Sequence, residues 1–317
     1  MSRVPVDPAI AAVLELMNDP DAPQIHQLGP AEARELFKSF AVGGDGAPTP
    51  VRSVTDRTIP GPAGEVPVRV VVPEVETPTG VLVWIHGGGF VIGDLDTSES
   101  TARRLAAGAG CVVVSVDYRL APEHKAPAAF DDSWAATCWV AENRTQLGLA
   151  ADAPMAVGGD SAGGNLSALV AVRSVEAGGP ELALQLLVYP ATDLATDYPS
   201  RSANGTGYFL STDTMNWFGE QYLAVGTDPG DPSISPMFVA PATLAGVAPA
   251  LVLVAGYDPL VDEGRAYADR LSEAGATVEL LEFPSMIHGF FQMGAITPVA
   301  LEAADEATAA LRAAFSG

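Results

Sequence analysis

Val157-Gly158-Gly159-Asp160-Ser161-Ala162-Gly163-Gly164-Asn165 decides how the rest of the chain is read. A short apolar run, Met155-Ala156-Val157, leads into it, and a helix-like segment from Leu166 to Val175 follows it. Inside it, Gly159, Ser161 and Gly163 spell Gly-x-Ser-x-Gly. A serine on a sharp strand-to-helix turn sits in strained backbone with its hydroxyl exposed, and flanking glycines let strand and helix pack that closely. The positive end of the helix dipole behind it favours an oxyanion nearby. In a glycine-rich chain the pattern alone says little. With a strand before it and a helix after it, Ser161 reads as a nucleophile on an elbow.

Outward from the elbow, short and nearly continuous apolar runs recur at Val81–Ile85, Cys111–Val116, Met155–Val157, Leu182–Val188, Ala250–Ala255 and Val278–Phe283. Helix-length segments separate most of them: Thr97–Ala109, Phe130–Glu142, Leu166–Val175 and Glu263–Ala274. Continuous apolar strands alternating with helices predict an α/β fold, a parallel sheet covered on both faces. Function in such a sheet collects at the carboxyl ends of the strands. Before this core, helix spacing at Ile10, Val13, Leu14 and Met17 predicts a helix over Ala9–Met17, and a second spans Pro30–Phe40. A linker, Gly43–Pro48, follows. Val51–Ile59 and Val66–Val72 then read as an antiparallel hairpin with alternating apolar residues, turning through Pro60–Gly64. Between Tyr189 and Pro249 roughly sixty residues interrupt the rhythm, a length that marks a lid or small extra domain. They carry Tyr198, Tyr208, Phe209, Trp217, Phe218 and Tyr222.

The bounds set by composition agree. At 317 residues and 48% apolar, the chain can bury one large core. Its formal net charge is −23, with Lys38 and Lys125 its only lysines. Such a surface repels nucleic acid and anionic membranes, and speaks to solubility rather than mechanism. Asp7 and Glu15 interrupt Met1–Met17, so neither a signal peptide nor a membrane span is predicted. Cys111 and Cys138 read as buried free thiols, which fits a cytoplasmic location.

A serine hydroxyl needs a base, usually histidine. Of the 4 histidines, His26 precedes every strand, His86 opens a glycine run and His124 sits in a Pro-flanked loop. His288 follows the last apolar strand, at the same sheet edge as Ser161, and is the base by position and elimination. An acid must hold its tautomer. Asp258 ends the run from Leu251 to Tyr257 and takes that place; Asp193 is a weaker competitor, and Asp262 and Glu263 start the next helix. Asp160 is expected to brace the elbow. Backbone amides of Gly88 and Gly89, in Ile85-His86-Gly87-Gly88-Gly89-Phe90, are candidate oxyanion donors, with Ala162 as the third. His86 reads as structural. The histidines lack the spacing of metal ligands, so neither metal nor cofactor is expected.

His86–Phe90, Tyr118-Arg119-Leu120-Ala121-Pro122-Glu123-His124, Gly159–Asn165, Asp258-Pro259-Leu260-Val261-Asp262-Glu263 and His288-Gly289-Phe290 are spaced as in the bacterial hormone-sensitive-lipase-like esterases. These are the α/β-hydrolases whose elbow reads Gly-Asp-Ser-Ala-Gly, and the resemblance covers nearly the whole chain. It implies the α/β-hydrolase fold with a mostly parallel eight-stranded sheet, helices on both faces and a helical cap. It also implies hydrolysis of short-chain carboxylic esters without a cofactor. Residues 1–48 and 190–225 would form the cap, and 49–189 with 226–317 the catalytic domain. Phe90, Tyr189, Tyr208, Phe209, Trp217 and Ile287 would line the substrate pocket. Arg119 and Glu123 would be buried or semi-buried supports for the active-site loops. The family often forms dimers through its last strand and helix, so a homodimer is the assembly implied. A lipase, an amide or lactone hydrolase on the same triad, and a non-catalytic receptor are the alternatives. Plant gibberellin receptors resemble the family but lack the catalytic histidine, whereas His288 is present here.

Overall fold

The computed structural model describes residues 3–19, 23–42 and 47–316. Gly43–Gly46 of the expected linker lie outside the described residues. Among those described, β1 (Ser53–Gly61), β2 (Gly64–Val72), β3 (Val81–Ile85), β4 (Val112–Val116), β5 (Met155–Asp160), β6 (Leu184–Val188), β7 (Ala250–Tyr257) and β8 (Val278–Ile287) form one sheet. It is 8-stranded, in the order β1-β2-β4-β3-β5-β6-β7-β8. β2 pairs antiparallel with both β1 and β4; all later neighbours are parallel. Helices α1 (Pro8–Met17) and α2 (Pro30–Ala41) come before the sheet, and α3 (Leu95–Ala109), α4 (Ala128–Glu142) and α5 (Ala162–Ala177) follow β3, β4 and β5. Between β6 and β7 lie α6 (Pro199–Ala203), α7 (Thr212–Tyr222) and the short α8 (Pro241–Leu244). α9 (Val261–Ala274) follows β7, and α10 (Pro298–Phe315) follows β8.

The continuous apolar runs are explained by cover on both faces. Successive side chains of a strand alternate sides. Leu82 and Trp84 of β3 pack with Ala102 and Leu105 of α3 and Ala304 of α10, while Val81, Val83 and Ile85 pack with Val140 of α4 and Leu166 of α5. At the far end, Leu187 and Val252 meet Tyr267 and Leu271 of α9. α1 buries Ile10 and Leu14 on the α3/α10 side, whereas α2 sends Ala33 to the other.

Several expected features shift. The hairpin strands run on through Pro60 and Gly61, with Gly61 opposite Gly64, so the turn is only Pro62-Ala63. β1 does not alternate: Ile59 is its only buried residue, since it is an edge strand with one neighbour. Pro60 is tolerated there because an edge leaves donors unused. β5 continues through the glycines to Asp160, and β8 passes Pro284 to reach Ile287, with a register shift opposite Ala255–Tyr257. Cys111 is buried as expected, but Cys138 is only partly so, because it lies off the buried stripe of α4 formed by Ala129, Ser133, Ala136 and Val140. Residue pattern alone does not mark α10. Its buried face is mostly Ala300, Ala303, Ala304 and Ala307, too small to stand out as an apolar stripe.

Candidate active site

Ser161 bridges β5 and α5 with φ 54° and ψ −117°, a backbone state that L residues rarely adopt and that costs about 1–3 kcal/mol. The surroundings hold it there: Ser161 N donates to Val188 O at 2.9 Å, and Ser161 O accepts from Asn165 N at 3.0 Å and Ala191 N at 3.1 Å. Gly163 is dictated by space. A Cβ there would lie 1.9 Å from Ile85 O, so any side chain would push α5 off β3.

β8 ends at Ile287 and β7 at Tyr257, which puts His288 and Asp258 beside the elbow. His288 Nε2 lies 3.0 Å from Ser161 Oγ, and His288 Nδ1 lies 2.7 Å from Asp258 Oδ2. With the Nδ1 proton donated to the carboxylate, Nε2 is left to accept from the serine hydroxyl. Asp258 is fully buried; its Oδ1 accepts from Leu260 N at 2.8 Å and its carbonyl from Asn204 Nδ2 at 2.9 Å. Tyr189, fully buried, lays its ring 4.6 Å from the His288 ring.

The loop after β3 is also built from positive-φ residues: Gly88 at 119°, Gly89 at 56° and Phe90 at 65°. At Gly88 a Cβ would come 2.1 Å from Ile92 O, so the tight turn requires glycine. Gly88 O accepts from Val91 N and Ile92 N, both at 3.0 Å. Gly87 N donates to Asp160 Oδ1 at 2.9 Å, joining this loop to the elbow. Asp160 Oδ2 accepts from Gln292 Nε2 at 3.1 Å, and burial pushes its carboxyl up to about 6. His86 stacks on Tyr118 at 4.3 Å, and its Nδ1 donates to Gly87 O at 2.7 Å. Burial pulls its pKa down to about 4, so it is a neutral prop at pH 7.

Gly88, Gly89, Phe90, Ser161, Ala162 and His288 line one cavity of about 1170 Å³. Its outer walls are Val13, Leu16 and Met17 of α1, Phe37 and Phe40 of α2, and Met215, Phe218 and Tyr222 of α7. Of the six expected pocket residues, Phe90 and Phe209 reach it. Tyr189 and Ile287 do not, because strand ends bury them in the core on the α3/α10 side. Tyr208 instead packs on Tyr257 at 4.9 Å. Trp217 lies about 100° around α7 from Phe218; both rings pack against the α4-side core, but only that of Phe218 reaches the cavity. Phe218 and Tyr222 of the aromatic insertion line it as well, and so do Met215 and Gln292, which no sequence signal marks. The aromatic cluster in the insertion was visible; which helical face would look inward was not.

The other expected acids are accounted for. Asp193 Oδ1 accepts from Ala195 N and Thr196 N, both at 2.9 Å, and its Oδ2 from Tyr198 OH at 3.0 Å, whereas His288 Nδ1 goes to Asp258. Asp262 Oδ2 accepts from Ser200 N at 2.9 Å. Glu263 is fully buried, taking Thr192 N at 2.9 Å and Arg201 Nη2 at 2.8 Å; burial pushes its carboxyl up to about 7 against the pull of Arg201. Arg119 pairs with buried Asp132 at 2.8 Å. Glu123 is not buried: its side chain is 54% exposed, because its partner Arg34 reaches it from outside on α2. Among the described residues, no group of 3 or more His, Cys, Asp or Glu converges as a metal site. No described helix is long and apolar enough to cross a membrane.

A strained serine at a strand–helix elbow, a histidine and a buried aspartate at neighbouring strand ends, and a glycine loop facing them define a serine hydrolase of the α/β class. Comparisons place it more narrowly. The α/β-hydrolase fold family matches residues 82–292. The carboxylic ester hydrolase LipN of Mycobacterium tuberculosis is 44% identical over 268 residues, 83% of this chain and 71% of its own length. The ethyl acetate hydrolase of Pseudomonas putida is 37% identical over 312 residues, 95% of each chain. An α/β-hydrolase from the metagenome of Lake Arreo, Spain, superposes with TM-score 0.93 at 42% identity, covering 98% of this chain and 99% of that one. The Pyrobaculum calidifontis esterase does so with TM-score 0.91 at 37% identity, covering 98% and 99%. The chain belongs to the α/β-hydrolase fold family, in its hormone-sensitive-lipase-like branch, and is an ester hydrolase.

Proposed function

We propose that the protein hydrolyses short-chain carboxylic esters through an acyl-enzyme on Ser161, with His288 as base and acid and Asp258 as its anchor. The observation that carries this is the continuous chain of contacts, Ser161 Oγ to His288 Nε2 at 3.0 Å and His288 Nδ1 to Asp258 Oδ2 at 2.7 Å. His288 takes the hydroxyl proton as Ser161 Oγ bonds to the ester carbonyl carbon. The carbonyl electrons move to oxygen, where the amides of Gly88, Gly89 and Ala162 receive the charge. Collapse expels the alcohol, which leaves with the proton from His288. Water then repeats the cycle, releasing the acid and restoring Ser161.

In this reading residues 1–48 and 190–225 form a cap over the sheet edge, and 49–189 with 226–317 carry the catalysis. The walls supplied by α1, α2 and α7 support that division. The substrate is a small ester, with no stable membrane association. β8, hydrogen-bonded only to β7, leaves an edge for a homodimer with α10. Free Cys111 and Cys138 support a cytoplasmic location. The name of one relative, the ethyl acetate hydrolase, supports short acyl groups, whereas the size of the cavity and the exposed Leu16 and Phe40 at its walls favour a second reading, longer chains.

Ser161→Ala should abolish hydrolysis of p-nitrophenyl acetate and butyrate while the thermal midpoint is kept, and a serine-directed organophosphate should label Ser161 alone. Retained turnover would overturn the triad. Turnover against acyl length decides the substrate: a maximum at two to six carbons, roughly, supports the esterase, and one at about twelve or more with interfacial activation makes it a lipase.

A further inference from the structure

α2 lies beside the strap that runs from the Gly88 turn to the start of α3, and two cations one helical turn apart hold it there. Arg34 Nε donates to Val91 O at 2.9 Å, and Arg34 Nη2 donates to Ala121 O at 2.9 Å. Nη1 and Nη2 also donate to Glu123 Oε1 and Oε2, at 2.9 and 2.6 Å. Lys38 Nζ donates to Asp94 Oδ2 and Asp96 Oδ2, each at 2.7 Å. The carbonyls that Arg34 holds belong to a connected unit. Val91 N closes the turn on Gly88 O at 3.0 Å, and Ala121 N donates to Phe90 O at 2.9 Å. One planar guanidinium thus spans both segments where they meet, a geometry that a single ammonium cannot reproduce.

We propose that Arg34 is a positioning residue for ester hydrolysis: its guanidinium fixes the Gly88–Val91 turn, so that the amides of Gly88 and Gly89 are aimed before substrate arrives. This rests on the reading of those amides as oxyanion donors. Donors of that kind act only if they need no reorganisation during reaction, and a shift of about 1 Å in a reacting site costs on the order of a hundredfold. Four glycine-rich residues in a row, from Gly87 to Phe90, hold no such shape by themselves, because three of them have the backbone freedom that glycine brings. Arg34 itself does not line the cavity, although Phe37 and Phe40 of the same helix do. Its effect on turnover therefore runs through the turn. The link also makes hydrolysis depend on the segment before the sheet for a reason other than enclosing the substrate.

Arg34→Ala is expected to lower kcat on p-nitrophenyl butyrate by about tenfold to a hundredfold, less than the loss of a whole donor, with KM within about threefold. Glu123→Gln leaves both carbonyl contacts in place and should keep kcat within about threefold, as a half-exposed ion pair contributes little. Arg34→Lys should fall between. The deciding probe is a trifluoromethyl ketone, whose adduct with Ser161 carries an oxyanion: its Ki should rise in proportion to the fall in kcat/KM across the series. An unchanged kcat in Arg34→Ala, or a lowered kcat with unchanged ketone Ki, overturns the proposal. If Arg34→Ala does not fold, Arg34→Lys gives the same decision, since it too must move kcat and Ki together. Wild-type protein that binds the ketone no better than its non-fluorinated analogue would instead refute the oxyanion reading itself.

Discussion

Asp258 shows how little freedom the site leaves to a single side chain. One carboxylate oxygen takes the His288 Nδ1 proton at 2.7 Å and the other takes Leu260 N at 2.8 Å, with no exposure to solvent. Asparagine fits the same space, but it can offer an N–H where an acceptor is needed and so favours the wrong histidine tautomer. Asp258→Asn should therefore lower kcat by about ten-thousandfold, as in the template triad, with little change in thermal midpoint. Asp262→Asn is the control. Its carboxylate accepts from Ser200 N at 2.9 Å, outside the proton path; the amide oxygen of asparagine can still do so, and turnover should stay within about tenfold of wild type. Equal losses would move the acid elsewhere. At this scale Ser161, Asp258 and His288 were legible because chain order and strand ends constrain them tightly. Phe218 was not singled out from Trp217, its neighbour, because only the rotation of α7 decides which ring meets the cavity. Gly89 underlines the point: a Cβ on it would lie 2.2 Å from the Phe218 ring, a contact between residues far apart in sequence.

α7 is the element on which the cavity wall depends most, and it is too short to stand alone. It spans 11 residues, below the length at which an isolated helix is stable in water. Both its ends are tied down. At the start, Ser211 Oγ accepts from Thr214 N at 3.1 Å and His26 Nδ1 meets Thr214 Oγ1 at 3.2 Å. At the end, Lys125 Nζ donates to the carbonyls of Glu220 and Leu223, each at 2.9 Å, and to that of Gln221. A cation over those carbonyls complements the helix dipole and fills acceptors that the helix leaves open. Lys125→Met keeps the length but removes the charge. It should lower stability by about 1–2 kcal/mol and raise KM for p-nitrophenyl butyrate severalfold, because Phe218 and Tyr222 lose their fixed position. A wild-type thermal midpoint and KM would show that packing alone holds α7. Neither α7 nor α10 was read as a helix from residue pattern. In Thr212–Tyr222 polar residues outnumber the aromatics and Gly219 interrupts, while in α10 alanine supplies the buried stripe. The strands of the sheet were easier, since burial on both faces leaves unbroken apolar runs.

On the scale of the whole molecule, pH acts through two kinds of carboxylate. Most are at the surface of a chain with net charge −23, where they repel one another as they ionise. A few are buried: Asp117 and Asp160 are pushed up to about 6 and Glu263 to about 7, in each case chiefly by burial. These groups bind protons in the folded state that the unfolded chain has already lost. Their contribution is fully present below the ordinary carboxylate range and disappears as pH rises through their raised values, by at most about 1.4 kcal/mol per pH unit for each group. Pairs such as Arg34–Glu123 act the other way. The guanidinium holds the Glu123 carboxyl down near 2, so that stability is lost only as pH falls through the acid range. Stability should thus be greatest near pH 4, roughly, and fall between about pH 4 and 7. Glu263→Gln tests the buried share. The amide oxygen can still accept from Thr192 N, but the group no longer titrates, so the plot of unfolding free energy against pH should be shallower by about one proton over that interval. Denaturant titrations at successive pH values measure the slope. The same slope in both proteins would assign the fall to surface repulsion, which added salt would reduce and a buried carboxylate would not feel. The net charge behind the surface effect is plain in the sequence. The buried effect is not, because Glu263 reads as an ordinary first-turn acid until the fold brings Arg201 and the amides of Thr192 and Asp193 around it.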